Sequence, residues 1–144
     1  RTCGLYGEAS AKGRRSFIER LLAQGGGTQP FRVVADVTAS PTFAGHLADA
    51  IWRLLEKGCY GLYHAVDDGA VTWYDFACEA VSQAGAAVAV EPLAAHQWKA
   101  PAIRPRFSAL ANAKLSDLGI AMPSWRAGIG AYLASRPANQ SSLR

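Results

Sequence analysis

Two arginines and a serine stand within five residues in Arg104-Pro-Arg-Phe-Ser108. A guanidinium presents planar paired donors, keeps its charge in any pocket and matches a phosphate or diphosphate through two oxygens at once. Arg104 and Arg106 are therefore the leading candidates for ligand contact, with Ser108 beside them. The competing account is a solvated basic loop framed by Pro101 and Pro105. Other chemistry-bearing groups offer less. His46 and Asp49 lie one helical turn apart, but no third ligand stands at a supporting spacing, so a surface pair is expected rather than a metal site. His64, inside an apolar run, reads as a satisfied core histidine. No Gly-x-Ser-x-Gly elbow accompanies any serine. Gly25-Gly-Gly27 follows a helical pattern and lacks the Gly-Lys-(Ser/Thr) ending of a phosphate loop. Asp67-Asp68-Gly69 reads as a turn with two solvated carboxylates.

The elements that must hold these groups alternate between short apolar runs and stretches of helical period, the pattern of an α/β architecture. Leu5 and Tyr6 form a short strand closed by Gly7. Phe17, Ile18, Leu21 and Leu22 share one helical face, and the three glycines from Gly25 stop that helix. Phe31 to Ala35 reads as a strand, and Ser40-Pro-Thr42 as a turn in which Thr42 is placed to cap the next helix. That helix carries Leu47, Ile51, Leu54 and Leu55 on one side. Gly61 to Val66 reads as a strand. Thr72 with Asp75 resembles a capping pair before Trp73, Phe76, Ala77 and Val81, with the end near Gly85. Val88 to Pro92 reads as another short strand. Ser108 is a plausible cap for a helix over 111–118, and Pro123-Ser124 opens a last helix through Trp125, Ile129, Tyr132 and Leu133. The expected fold is thus α/β, a few short strands with about five helices, ordered over 1–136 and disordered over 137–144. Trp73-Tyr-Asp-Phe76 is assigned to packing, as are Trp52 and Trp125, while Trp98 either packs or faces a ligand.

The chain has 144 residues, half of them apolar and 18% charged, enough for one domain with its own core. No apolar run approaches the roughly 18 residues that a membrane span needs. Cys3, Cys59 and Cys78 form no Cys-x-x-Cys pair, so a reducing cytoplasm is expected, with Cys3 and Cys78 as small core residues. The net charge of +4 comes from scattered basic residues rather than a stripe, so nucleic acid and membrane are not expected partners.

Four phrases in fixed order, Arg1-Thr-Cys-Gly-Leu-Tyr-Gly7, Ser40-Pro-Thr42, Thr72-Trp-Tyr-Asp-Phe-Ala77 and Arg104-Pro-Arg-Phe-Ser-Ala-Leu110, resemble the C-terminal half of dTDP-4-dehydrorhamnose reductases, which are extended short-chain dehydrogenases. The resemblance runs from Arg1 to about Leu133. It implies that the first strand passes beneath nicotinamide and sugar, so that Gly4 faces substrate and Leu5 and Tyr6 face the cofactor. It also implies that the loop from Asp36 to Thr42 lies near the nucleotide, and that Arg104, Arg106 and Ser108 hold the phosphates, with Leu110 and Lys114 continuing the motif. Several positions depart from the family. Cys3 and Gly4 stand where Ser and Trp are usual, Val37 and Ala39 replace Gln and Gly, and Ala111 replaces Asp.

In the intact enzymes NADPH reduces the 4-keto group of a dTDP-linked 6-deoxysugar, with a Tyr-x-x-x-Lys pair managing the proton. Tyr6, Tyr60, Tyr63 and Tyr74 are followed four residues on by Ser10, His64, Asp67 and Cys78, so none supplies that pair. The resemblance therefore implies a substrate-binding portion whose catalytic pair and glycine-rich cofactor motif lie upstream of Arg1. Such a portion is expected to bind a dTDP-linked sugar, not to hold NADPH by itself, and not to be catalytic alone. The faces bared by a missing catalytic half also suit a homo-oligomer. The alternative is a partner-binding or self-associating module derived from the same family.

Overall fold

A computed structural model of the chain describes residues 1–8, 15–25, 27–98 and 104–136. Within these residues, five α-helices and six short strands follow one another in the order β1 (Leu5–Tyr6), α1 (Phe17–Leu22), β2 (Phe31–Val34), β3 (Thr38–Ala39), β4 (Thr42–Phe43), α2 (Ala44–Glu56), β5 (Val71–Thr72), α3 (Trp73–Ala84), β6 (Val90–Leu93), α4 (Ala113–Asp117) and α5 (Trp125–Ser135). A 3-10 turn covers Ala95–Gln97. The strands pair two by two. β1 runs parallel to β4, β2 parallel to β6, and β3 antiparallel to β5. Parallel partners need crossovers, and α1 to α3 supply them. β3 has a neighbour on either side, because Thr38 pairs with Thr72 of β5 and also bridges Phe107.

The core gathers around α3, whose Phe76, Ala77 and Ala80 have no exposed surface. Against them pack Tyr6, Ile18, Leu21, Val33, Trp125, Ile129 and Tyr132. The Tyr6 ring meets Phe76 and Tyr132 edge-on at centroid distances of 5.4 and 5.7 Å. Each large side chain so buried contributes about 1.5–3 kcal/mol. A smaller cluster of Ala50, Ala65, Leu115 and Ile120 joins α2 to α4.

The helix ends follow the local chemistry. Ser16 and Glu19 form a capping box, Thr72 accepts from the Asp75 amide at 3.0 Å, and Ser124 accepts from the Ala127 amide at 3.2 Å. Gly85 closes α3 at φ +59°, a conformation that favours glycine.

Several expectations change. Gly61 to Val66 is not a strand, because its backbone is tied to Arg1 and to the side chains of Asn112 and Lys114 rather than in a ladder. The strand read at Val88–Pro92 begins two residues later and ends at Leu93. Helix α4 starts at Ala113, five residues beyond Ser108, whose hydroxyl is engaged elsewhere. Phe43, not Thr42, occupies the N-cap of α2. On α2, Leu47 and Leu54 face the small cluster, whereas Ile51 and Leu55 are 48% and 53% exposed and Trp52 is 64% exposed. The apolar arc of this helix is wider than the surface that covers it. Cys3 and Cys78 are half-buried rather than core residues. The tail from Pro137 and the stretch holding Pro101 lie outside the described residues.

Candidate functional site

Of the residues that the sequence singles out, Gly4, Arg106, Ser108 and Leu110 meet along the Thr38–Thr42 segment. The Thr42 amide donates to the Gly4 carbonyl at 3.2 Å as β4 pairs with β1. Gly4 has φ +55°, and a Cβ there would stand 3.0 Å from Pro41 Cα and 3.2 Å from the Trp73 ring. Backbone conformation and space thus both favour glycine at this position. On the other side, the Leu110 amide donates to Ser40 Oγ at 3.3 Å. The Thr38 amide donates to the Arg106 carbonyl at 2.8 Å, and both the amide and hydroxyl of Ser108 donate to the Thr38 carbonyl at 2.9 and 3.2 Å. Cys3 Sγ lies 3.8 Å from Ser108 Oγ.

The segment 104–110 is therefore clipped along the edge of β3 by its backbone, leaving its larger side chains outside. Arg104 and Arg106 are exposed, Phe107 is 68% exposed, and neither arginine pairs with a carboxylate among the described residues. Two exposed, unneutralised guanidiniums on a segment bonded to Thr38, whose Ser108 neighbours Cys3, offer the donors that a phosphate group requires.

The remaining candidates separate. Leu5 is 55% exposed, whereas Tyr6 is 4% exposed and points its ring into the core. Thr42 is fully buried, its hydroxyl donating to the Ser40 carbonyl at 3.0 Å and accepting from the Asp67 amide at 3.3 Å, so it shapes the turn from behind. Trp98 ends the 3-10 turn, 57% exposed, its amide donating to the Ala95 carbonyl. Asp36 is engaged by the Ala95 amide at 2.7 Å, and Lys114 by the Leu62 carbonyl at 3.3 Å.

Behind the turn lies a group that the sequence reading places in solvent. Asp67 has no exposed surface, and the expectation of two solvated carboxylates holds only for Asp68. Its Oδ2 accepts from the Phe43 amide at 3.1 Å, and its Oδ1 lies 2.9 Å from His46 Nδ1. His46 therefore pairs with Asp67 and not with Asp49. Burial pushes the Asp67 carboxyl above its usual range, opposed by the Phe43 amide and by His46. Burial first, and then the charge of Asp67, push the Tyr6 phenol above its ordinary value. The Tyr6 hydroxyl is buried without a hydrogen-bond partner among the described residues.

Asn112 is a further residue without a sequence signal. Its amide group accepts from the Val66 amide at 3.0 Å and donates to the Val66 carbonyl at 2.8 Å, clamping the segment that delivers Asp67. His64, expected in the core, is only half-buried, and its ring has no hydrogen bond among the described residues.

A groove of about 610 Å³ runs along α3 and the start of α5 past Thr72, Asp75, Cys78, Glu79 and Arg126. Two carboxylates face it against one arginine that already lies 3.6 Å from Glu79. Its charge is wrong for a diphosphate, and the arginine-bearing segment remains the better site. No group of three metal-ligating side chains occurs among the described residues, and no described helix is long and apolar enough to cross a membrane.

Comparison with known proteins identifies the family. Residues 1–137 match the family model of the RmlD substrate binding domain. The chain is 32% identical over 146 residues to dTDP-4-dehydrorhamnose reductase of Mycobacterium tuberculosis, covering 99% of this chain and 47% of the relative. It is 36% identical over 132 residues to a probable dTDP-4,6-dihydroxy-2-methyloxan-3-one 4-ketoreductase of Streptomyces antibioticus, covering 90% of this chain and 43% of the relative. Among solved structures, dTDP-4-dehydrorhamnose reductase of Bacillus anthracis, in complex with NADP, superposes with a TM-score of 0.87 at 31% identity, over 94% of this chain and 47% of that one. A dTDP-glucose 4,6-dehydratase of the same organism shares the fold alone, at 14% identity and a TM-score of 0.69. The chain thus spans about half the length of the relatives it matches, and corresponds to their C-terminal, substrate-binding part. With its α/β fold and its ordered phrases from Arg1 to Leu110, the chain belongs to the RmlD substrate-binding domain family.

Proposed function

We propose that this chain binds the diphosphate of a dTDP-linked 6-deoxysugar on the shelf formed by Cys3, Gly4 and Ser108, with Arg104 and Arg106 as the phosphate-binding cations. The observation that carries this reading is the pair of exposed guanidiniums, free of carboxylate partners among the described residues, on a segment clipped to the Thr38 edge. Relatives whose names carry dTDP-sugar substrates support it.

The chain is not catalytic alone in this account. None of Tyr6, Tyr60, Tyr63 and Tyr74 has a lysine four residues on, and the Tyr6 ring is closed inside the core. NADPH, implied by the family, is not expected to be held by this chain alone, a reading supported by the burial of Tyr6, one of its two expected contacts. Reduction therefore needs a catalytic half, in the same or another chain. The three free cysteines suit a reducing compartment, which we take to be the cytoplasm.

A second reading has its own observation. Ile51, Trp52 and Leu55 stand exposed along α2, with Tyr60, Leu62 and Leu5 also exposed. Apolar surface of this kind usually meets a partner, either a catalytic half or a second copy of the chain.

Calorimetric titration separates the two. Saturable dTDP binding, weakened in Arg104→Ala and absent for NADPH, supports the substrate-binding role. A chain that is silent to dTDP but dimeric or larger in light scattering supports the self-associating one.

A further inference from the structure

A fully buried carboxylate needs a reason. Taking a charge out of water is costly unless it is closely partnered, and for Asp67 the partners recover only part of the cost, since its carboxyl still sits above the usual range.

Its connections run to the shelf. Asp67 holds the first turn of α2 twice, through the Phe43 amide and the His46 ring, and its own amide holds Thr42 Oγ1. Thr42 in turn fixes Ser40 through its hydroxyl and Gly4 through its amide, and Ser40 Oγ takes the Leu110 amide. From Asp67, Gly4 is reached through two hydrogen bonds and Leu110 through three, all at 3.3 Å or less. The pocket is closed from behind by α5, where Gly128 leaves room that a side chain would fill. The titratable groups facing Asp67 are His46 of α2 and Tyr6 of β1, with Tyr132 of α5 behind Tyr6.

We propose that Asp67 and His46 are positioning residues for nucleotide-sugar binding: they never touch ligand, but they set the Ser40–Phe43 turn on which Gly4 and the 108–110 segment rest. This inference rests on the site proposed above. His46 is the better handle for a test, since its side chain is 14% exposed and can be changed without emptying the core.

His46→Ala is expected to weaken dTDP binding about tenfold, the worth of one good hydrogen bond to a charged group. His46→Gln, which can still donate to Asp67, should restore affinity to within about twofold of the parent. Amide chemical shifts read the brace separately from the ligand. In His46→Ala, the amides of Gly4, Ser108 and Leu110, none of them bonded to His46 or Asp67, should move, and in His46→Gln they should return. Unchanged dTDP affinity in His46→Ala, shifts confined to 43–50 and 66–68, or failure of glutamine to rescue would each overturn the proposal. If the parent binds no dTDP, the function proposed above fails, and the three distant amides alone decide whether the brace exists.

Discussion

Replacing Gly128 by alanine puts one methyl group into the space between Asp67 and Tyr6. The new Cβ would overlap Asp67 Oδ2 and stand 2.7 Å from the Tyr6 hydroxyl oxygen. Neither neighbour can retreat, because Asp67 is held by Phe43 and His46 and the Tyr6 ring is wedged against Phe76 and Tyr132. Intrinsic helix propensity favours alanine by about 1 kcal/mol. Overpacking costs about 1–3 kcal/mol, and loosening a hydrogen bond to the carboxylate costs about 1.5–3 kcal/mol more. The net expectation is a loss of about 2–4 kcal/mol, a large share of a typical 5–15 kcal/mol domain stability. Gly130, on the same helix, is the internal control. A Cβ there would meet only the side-chain oxygen of Gln83, at 3.4 Å, which can swing away. Gly130→Ala should therefore gain up to about 1 kcal/mol. Urea unfolding at pH 7 reads both, with an expected fall in midpoint of about 1–2 M for Gly128→Ala at ordinary slopes. Equal midpoints for the two variants would refute the tight packing of Asp67 against α5.

Other predictions follow from single contacts. Asn112→Ala leaves the Val66 amide and carbonyl without their partner and should cost about 1–3 kcal/mol in the same unfolding assay. Asp67 gives a pH signature whose sign is fixed by its raised folded-state pKa. Its contribution to stability is fully present below the unfolded value of 3.8 and is lost as pH rises through the folded value, so the stability of the parent relative to Asp67→Asn should decline over that window and then level off. A parent that instead gains on the variant with rising pH would contradict the buried placement. Ser124→Ala removes the cap of α5 and should cost about 1 kcal/mol by thermal melting.

The sequence displays what local chemistry decides. Thr72 with Asp75, Gly85 and Pro123-Ser124 announce helix ends because capping groups act within one turn, and the structure has those ends. The convergence of Arg1 to Gly7 with Ser40 to Thr42 and the 104–110 segment was legible only through resemblance, since nothing in spacing says that Cys3 lies beside Ser108 or that Ser108 bonds the Thr38 carbonyl. The Asp67 brace was invisible for a related reason. Asp-Asp-Gly has the composition of a solvated turn, and only the long-range approach of Phe43, His46 and Gly128 buries the first of its carboxylates. Gly61 to Val66 shows the converse: β-forming residues alone do not make a strand, because a ladder also requires a partner strand. Helix α2 misled differently, because periodicity identifies an apolar arc without saying which part is covered.

The central claim is that the exposed arginines on the 104–110 segment hold a nucleotide diphosphate. Calorimetric titration of the parent and of Arg104→Ala with dTDP tests it most directly. The account predicts saturable binding by the parent and a loss of about ten- to a hundredfold in the variant, the worth of one charge-assisted contact. Binding of equal strength in both, with the variant shown to be folded, would contradict it.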